Sequence, residues 1–246
     1  MCWDRRKNQK IKDLSINDFK KILDKTQADF VKLWGRGEPF LNRDIYDIIR
    51  VCKDRKTKVF ITTNFSLIDL DEDIVRDIDM LCVSLHAATS DTYKKVTHRN
   101  DFNEIIEKIR KYRAKNKNYV AIKMVVSSIN EKEISKFIQL GSDLEVDDIL
   151  LTGIDFKSDA SSATIKKLLM KTREGLLFSR YSNRYKKCQQ YKWPYVLCDG
   201  RVFTCCKSPE RGFMGNVFSD TFHLDKQKIM ESSKRKFKEC EECTLC

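Results

Sequence analysis

Residues 30–39 read Phe-Val-Lys-Leu-Trp-Gly-Arg-Gly-Glu-Pro. Five residues suited to a strand run into two glycines, which let the main chain turn tightly or approach a ligand closely. Pro39 then offers the fixed φ of a first helical position. Residues 42–53 complete the unit as an amphipathic helix, with Ile45, Ile48 and Ile49 on one stripe. The same alternation recurs along the chain. Residues 58–62, 80–85, 120–126 and 148–151 read as further strands, each an apolar run expected when both faces of a parallel sheet are covered. Residues 71–78, 101–115 and 131–140 read as the intervening helices, and residues 15–23 as an opening helix with Ser15 as its N-cap. A helix followed by five βα repeats predicts an α/β fold with a parallel barrel or open sheet.

After residue 154 the pattern changes. A small polar linker at residues 158–162 leads to a helix over 163–177, and residues 195–198 and 202–206 flank Asp199-Gly200, a dipeptide that favours a type I′ hairpin turn. The cysteines follow the same division: of ten, only Cys2, Cys52 and Cys82 precede residue 188, and seven crowd into the last 59 residues. Cys188 and Cys205 lie on either side of the hairpin, and Cys240-x2-Cys243-x2-Cys246 closes the chain. A Cys-x2-Cys turn presents two thiolates to one centre, so this constellation points to zinc or an iron–sulfur cluster. Cys205 is preferred to Cys206, because successive side chains on a strand point to opposite faces. Cys198, Cys52 and Cys82 read as buried apolar residues.

No apolar run reaches the roughly 18–20 residues needed to span a bilayer, and no signal-like segment opens the chain, so a cytoplasmic protein with no membrane partner is expected. In that reducing compartment paired cysteines with short spacings read as metal ligands, with disulfides the runner-up. The formal charge of +12 suits an anionic partner, but the 48 Lys and Arg residues are scattered and read as a solvated surface, so nucleic acid is not expected.

Cys188-x11-Gly200-x4-Cys205 followed by Cys240-x2-Cys243, with Trp193-Pro194 and Gly215-Asn216-Val217 around them, resembles the SPASM or twitch extension of radical S-adenosylmethionine (radical SAM) enzymes. The first part of the chain agrees. Gly35-Arg36-Gly37-Glu38-Pro39 is similar to the family's GGEP motif, Thr62-Thr63-Asn64 to its third strand end, and Val83-Ser84-Leu85 to its fourth. The resemblance implies that Gly35, Gly37, Glu38 and Pro39 hold the cofactor's amino group. It also implies that Thr63, Asn64 and Ser84 contact the cofactor, with Lys123 and Asn130 placed to approach its carboxylate or to cap the following helix. His86 and Arg99 read as a structural and a solvated residue. Met1-Cys2-Trp3 is similar to the end of the family's Cys-x3-Cys-x2-Cys cluster motif, so Cys2 is the expected catalytic cluster ligand and the N-terminus is expected to be incomplete.

The implied fold is a partial (β/α)6 barrel lacking its first strand (1–156), a linker and helix (157–186) and a small cysteine-rich domain (187–246). The implied activity is reductive cleavage of S-adenosylmethionine by a [4Fe–4S] cluster to a 5′-deoxyadenosyl radical that abstracts hydrogen from substrate. An auxiliary [4Fe–4S] cluster would sit on Cys188, Cys205, Cys240 and Cys243, with Cys246 competing for the last position. A peptide substrate leads, a sugar or small molecule follows, and flavodoxin or ferredoxin is the expected electron donor. With two catalytic-cluster cysteines missing, the chain as given is expected to be inactive. The alternative from another class is a basic zinc-ribbon protein that binds nucleic acid without catalysis.

Overall fold

The computed structural model describes residues 13–34, 37–153, 194–204 and 212–225. Helix α1 (Ile16–Thr26) opens at Ser15, whose hydroxyl accepts from the Asp18 N–H, as its sequence predicts. Five strands follow: β1 (Phe30–Leu33), β2 (Lys58–Thr63), β3 (Met80–Ser84), β4 (Tyr119–Val126) and β5 (Asp148–Gly153). They form one parallel sheet in the order β1-β2-β3-β4-β5. Helices α2 (Ile45–Asp54), α4 (Phe102–Lys115) and α5 (Ile134–Asp143) lie in the crossovers.

Consecutive order decides how the sheet is covered. Each parallel crossover is right-handed, so an unbroken run of neighbours places every helix on the same face. Ile61, Val83, Ile122 and Ile149 point into that face and are buried with Ile48, Ile49, Ile105, Ile109 and Phe137 from the helices. At Gly141 a Cβ would stand 2.4 Å from Ile149 Cδ1, so glycine lets α5 approach β5 closely. The other face differs from the two-sided burial expected above. Phe60, Thr62, Ser84, Lys123 and Leu150 on that face are only half-buried, although Cys82 and Ala121 between them are buried.

Three local expectations are corrected. Residues 71–78 hold a 3-10 segment, Asp73–Asp77, rather than a full helix. The stretch before α4, to which the sequence reading assigned no helix, contains helix α3 (Ser90–Thr97), capped by the Thr89 hydroxyl. The C-terminal hairpin pairs β6 (Tyr195–Val196) with β7 (Arg201–Phe203), but the turn is not type I′. Of Asp199 and Gly200 only Gly200 has a positive φ, 83°; the Gly200 N–H donates to the Leu197 carbonyl and the Leu197 N–H to that of Arg201. This is a three-residue loop with glycine in the left-handed position, stiffened where Asp199 accepts from the Arg201 main chain and guanidinium.

Strand β8 (Phe213–Asn216) adds to β7, and this small sheet buries Val202, Val217 and Phe222 against Ile22 of α1. A cavity of about 430 Å³ remains between α1, β1 and the small sheet, bordered by Phe19, Thr26, Lys32, Trp34 and Tyr195. No helix among the described residues is long and apolar enough to cross a membrane.

Adjacent residues on β2 test the one-sided core. Ile61→Ala should cost about 2–5 kcal/mol because it leaves a cavity under the helices, whereas Thr62→Ala should cost less than about 1 kcal/mol. Urea unfolding of the two variants measures both, and equal losses would mean that both faces are packed.

Candidate functional site

The polar side chains of the open face gather toward the carboxyl ends of the strands, where ligands of parallel sheets bind because the connecting loops converge there. Register places Ser84 beside Lys123 and Thr62 beside Cys82, so each pair projects to the same side. Lys32 lies above the Phe60 ring, 4.9 Å from its centroid. The Lys123 ammonium makes no hydrogen bond or ion pair with any described residue.

Glu38 joins the ends of β1 and β2. One carboxylate oxygen accepts from the Thr63 hydroxyl at 2.5 Å, and the other from the Asn64 main-chain N–H at 2.7 Å. The side chain also caps the 3-10 turn Pro39–Leu41 through the Phe40 N–H at 3.4 Å. The Asn64 side chain turns back to accept from Ser66, and the Lys108 ammonium donates to the Ser66 and Ile68 carbonyls. The loop after β2 is therefore held from both ends. Thr63 itself is buried and donates to Glu38 while accepting from the Phe65 N–H, so it positions the carboxylate from the core side. Thr62, one residue earlier, is the threonine on the open face.

The ends of β3 and β4 are joined by a second set of contacts. Asn130, fully buried, donates to the carbonyls of His86 and Val125 and accepts from the Ser127 N–H. Its two amide protons go to main-chain carbonyls and its oxygen also accepts from the Ser127 hydroxyl at 3.3 Å, so Asn130 positions the ends of both strands. Glu133 accepts from the Ala88 N–H and from the Thr89 and Thr92 hydroxyls, pinning the start of α3. Burial pushes its carboxyl up, but these three donors outweigh that and hold it below the usual carboxylate range. Arg99 is exposed and paired with Asp101, as read.

The remaining candidates divide by position. Gly37 is exposed, with open space where a Cβ would sit, and Gly35 lies outside the described residues. Cys2, Cys188, Cys205, Cys240, Cys243 and Cys246 also lie outside them. Cys52 and Cys82 are buried free thiols, pushed up by desolvation to about 12 and about 11, so neither is poised as a thiolate ligand. Among the described residues no group of three His, Cys, Asp or Glu is placed to hold a metal. Sequence reading missed Lys32 and Thr62, although a lysine and a threonine alternating with Val31, Leu33 and Ile61 mark an uncovered face.

Residues 1–141 match the family model of the Radical SAM superfamily, more than half of the chain. The chain belongs to this superfamily. It is 37% identical over 134 residues to a "Probable GTP 3′,8-cyclase" of Saccharolobus solfataricus, covering 53% of this chain and 43% of that protein. A protein of the same name from Metallosphaera sedula is 32% identical over 126 residues, covering 49% and 39%. The chain thus spans less than half the length of these relatives. Among solved structures it is similar to Streptococcus suis SuiB bound to the precursor peptide SuiA, with a TM-score of 0.70, 15% identity, and coverage of 98% of this chain and 66% of that one. It is also similar to native anSMEcpe with bound AdoMet, with a TM-score of 0.65, 14% identity and coverage of 98% and 80%. Radical SAM enzymes use S-adenosylmethionine and a [4Fe–4S] cluster, and the five-stranded parallel sheet resembles their partial barrel.

A depressed carboxyl stabilises the fold above its ordinary pKa, and that contribution is lost as pH falls through the folded-state value. Glu133→Gln should therefore lower unfolding free energy by about 1–2 kcal/mol at pH 7. The difference from wild type should shrink below about pH 4.3. Chemical unfolding at pH 7 and pH 3.5 measures it; a difference independent of pH would place the effect in packing instead.

Proposed function

We propose that this chain is the core of an enzyme that binds S-adenosylmethionine on the open face of the parallel sheet and abstracts hydrogen from a substrate. The observation that carries this reading is the Glu38 junction. A carboxylate fixed by Thr63 and Asn64 at adjoining strand ends retains a lone pair on the oxygen that accepts from Asn64. It suits the ammonium of an amino acid moiety, and the Lys123 ammonium beside Ser84, without a partner among the described residues, suits its carboxylate. The donor set fits the cofactor's two charged ends. When bound and reduced at a [4Fe–4S] cluster, S-adenosylmethionine supplies a carbon radical able to take hydrogen from substrate.

The protein's part is to hold and shield. Thr63 and Asn64 orient Glu38, Asn130 and Glu133 fix the rim of β3 and β4, and half-buried Phe60 and Met80 lend the open face an apolar floor that limits water. Cys2 is proposed as one ligand of the catalytic cluster. Cys188, Cys205, Cys240 and Cys243, with Cys246 competing, are proposed for an auxiliary cluster in a SPASM or twitch domain, and flavodoxin or ferredoxin as the electron donor. The short three-stranded sheet packed on α1 is consistent with such an appendage, because a core of so few residues needs a staple.

A peptide is proposed as substrate on the strength of that appendage. A second reading, a nucleotide substrate, draws on the 37% identity to proteins named as probable GTP 3′,8-cyclases.

The complete polypeptide, with any upstream Cys-x3-Cys-x2 segment and reconstituted anaerobically with iron and sulfide, should release 5′-deoxyadenosine and methionine under strong reductant. Glu38→Gln should weaken S-adenosylmethionine binding by about one to two decades, the loss of a charge-assisted hydrogen bond. Absence of 5′-deoxyadenosine from the reconstituted wild type would sink the reading, and unchanged affinity in the Gln variant would reduce Glu38 to a loop anchor.

A further inference from the structure

His86 stands where β3 leaves the sheet, and its contacts are unusual for a residue at a strand end. Register pairs Ser84 with Lys123, and the Leu85 N–H donates to the Lys123 carbonyl at 3.1 Å, so the ladder's next rung would run from the Val125 N–H to the Leu85 carbonyl. That rung is replaced: the Val125 N–H donates at 3.1 Å to His86 Nδ1. The main chain at His86 takes φ 64°, in the left-handed region, and turns away. Its N–H donates to Lys123 at 3.0 Å, and its carbonyl accepts from Asn130 at 2.8 Å. Left-handed backbone costs a non-glycine residue roughly 1–2 kcal/mol, and here contacts from two other elements hold it.

These contacts fix the chemistry of the ring. A nitrogen that accepts from a main-chain N–H carries no proton, so the neutral ring has its hydrogen on Nε2. Burial, reinforced by the Lys123 ammonium, pushes the imidazole down to about 4, so the ring is neutral near pH 7. Nε2 finds no acceptor among the described residues. The half-buried ring thus keeps a donor without a partner among the described residues, and it lies near enough to the open-face Lys123 ammonium to feel its charge.

We propose that His86 is a ligand-contacting residue whose Nδ1 substitutes for a main-chain carbonyl of β3 while its Nε2–H donates to an acceptor oxygen of S-adenosylmethionine on the open face. This rests on the proposed function for the identity of the ligand. The two nitrogens have separable tasks, and two amides separate them. In His86→Asn the Oδ1 can accept from Val125, and asparagine tolerates positive φ, but nothing reaches the place of Nε2. In His86→Gln the distal amide reaches that place while the contact with Val125 is lost.

Equilibrium dialysis of S-adenosylmethionine against the complete, reconstituted and unreduced protein reads binding without turnover, and thermal unfolding reads the ladder. His86→Asn should melt within a few degrees of wild type and bind about tenfold more weakly. His86→Gln should melt lower yet recover part of the affinity. Selective ¹⁵N labelling of histidine should show His86 as a single neutral Nε2–H tautomer from pH 5.5 to 8. Wild-type affinity in His86→Asn, or a protonated Nδ1 in the wild type, would overturn the assignment. If the wild type itself fails to bind, the ligand identity falls with the proposed function, and that failure is distinct from a wild type that binds and an Asn variant that binds equally well.

Discussion

One-sided coverage of the sheet is the constraint on which the molecule depends. Five strands in consecutive parallel order must send every right-handed crossover across the same face. That face becomes the core, with Ile61, Val83 and Ile122 fully buried, and the alternation of side chains leaves Thr62, Ser84 and Lys123 on the other. The hydrophobic effect therefore acts on the odd positions of β2 and β3 and spares the even ones other than Cys82. Polar groups can occupy the spared positions without losing solvation, which is the condition for a binding face inside a stable fold.

Such a face is useful only if the loops above it keep their shape. Each loop leaves a strand end with unpaired main-chain groups, and each is closed by a side chain from a neighbouring element. Glu38 closes β2, Lys108 closes the loop that follows it, Asn130 closes β3 and β4 together, and Glu133 closes the entry to α3. None of these four needs to touch a ligand for the loops to keep their shape. A ligand that meets fixed donors and acceptors avoids the ordering cost that mobile loops would impose.

Five strands were legible because β-branched runs alternate with amphipathic stretches, a signal that survives errors at element ends. What failed has identifiable causes. Reading the strands as buried on both faces ignored Lys32 and Lys123, charged residues of a kind rarely found inside a doubly covered strand. Thr63 faces the core and Thr62 the open face, because one residue along a strand moves a side chain to the opposite side of the sheet. The Asp199-Gly200 turn was given the commoner two-residue geometry, whereas Leu197 and Arg201 close a three-residue loop. His86 gave no sequence signal beyond its type, because its role comes from a main-chain turn that brings Nδ1 to Val125. The cysteine constellation remains a reading of spacing, since its proposed ligands lie outside the described residues.

The two kinds of likeness bear on different parts of the chain. The family model ends at residue 141, before β5 is reached, while the likeness to solved structures extends over 98% of the chain. The residues proposed for the cofactor, Glu38, Ser84 and Lys123, belong to β3, β4 and the turn after β1, all within the stretch that the family model matches. Under the proposed function, substrate choice falls to other elements, of which the small sheet is one. It is tied to the first helix through Ile22, Val202, Val217 and Phe222, and Trp34 at the end of β1 meets Tyr195 of β6 with ring centroids 6.4 Å apart. That contact joins the turn before Glu38 to the start of the small sheet. A group held by the small sheet would therefore keep a fixed relation to the strand end that orients Glu38, and specificity could change there while the chemistry of the open face stayed the same.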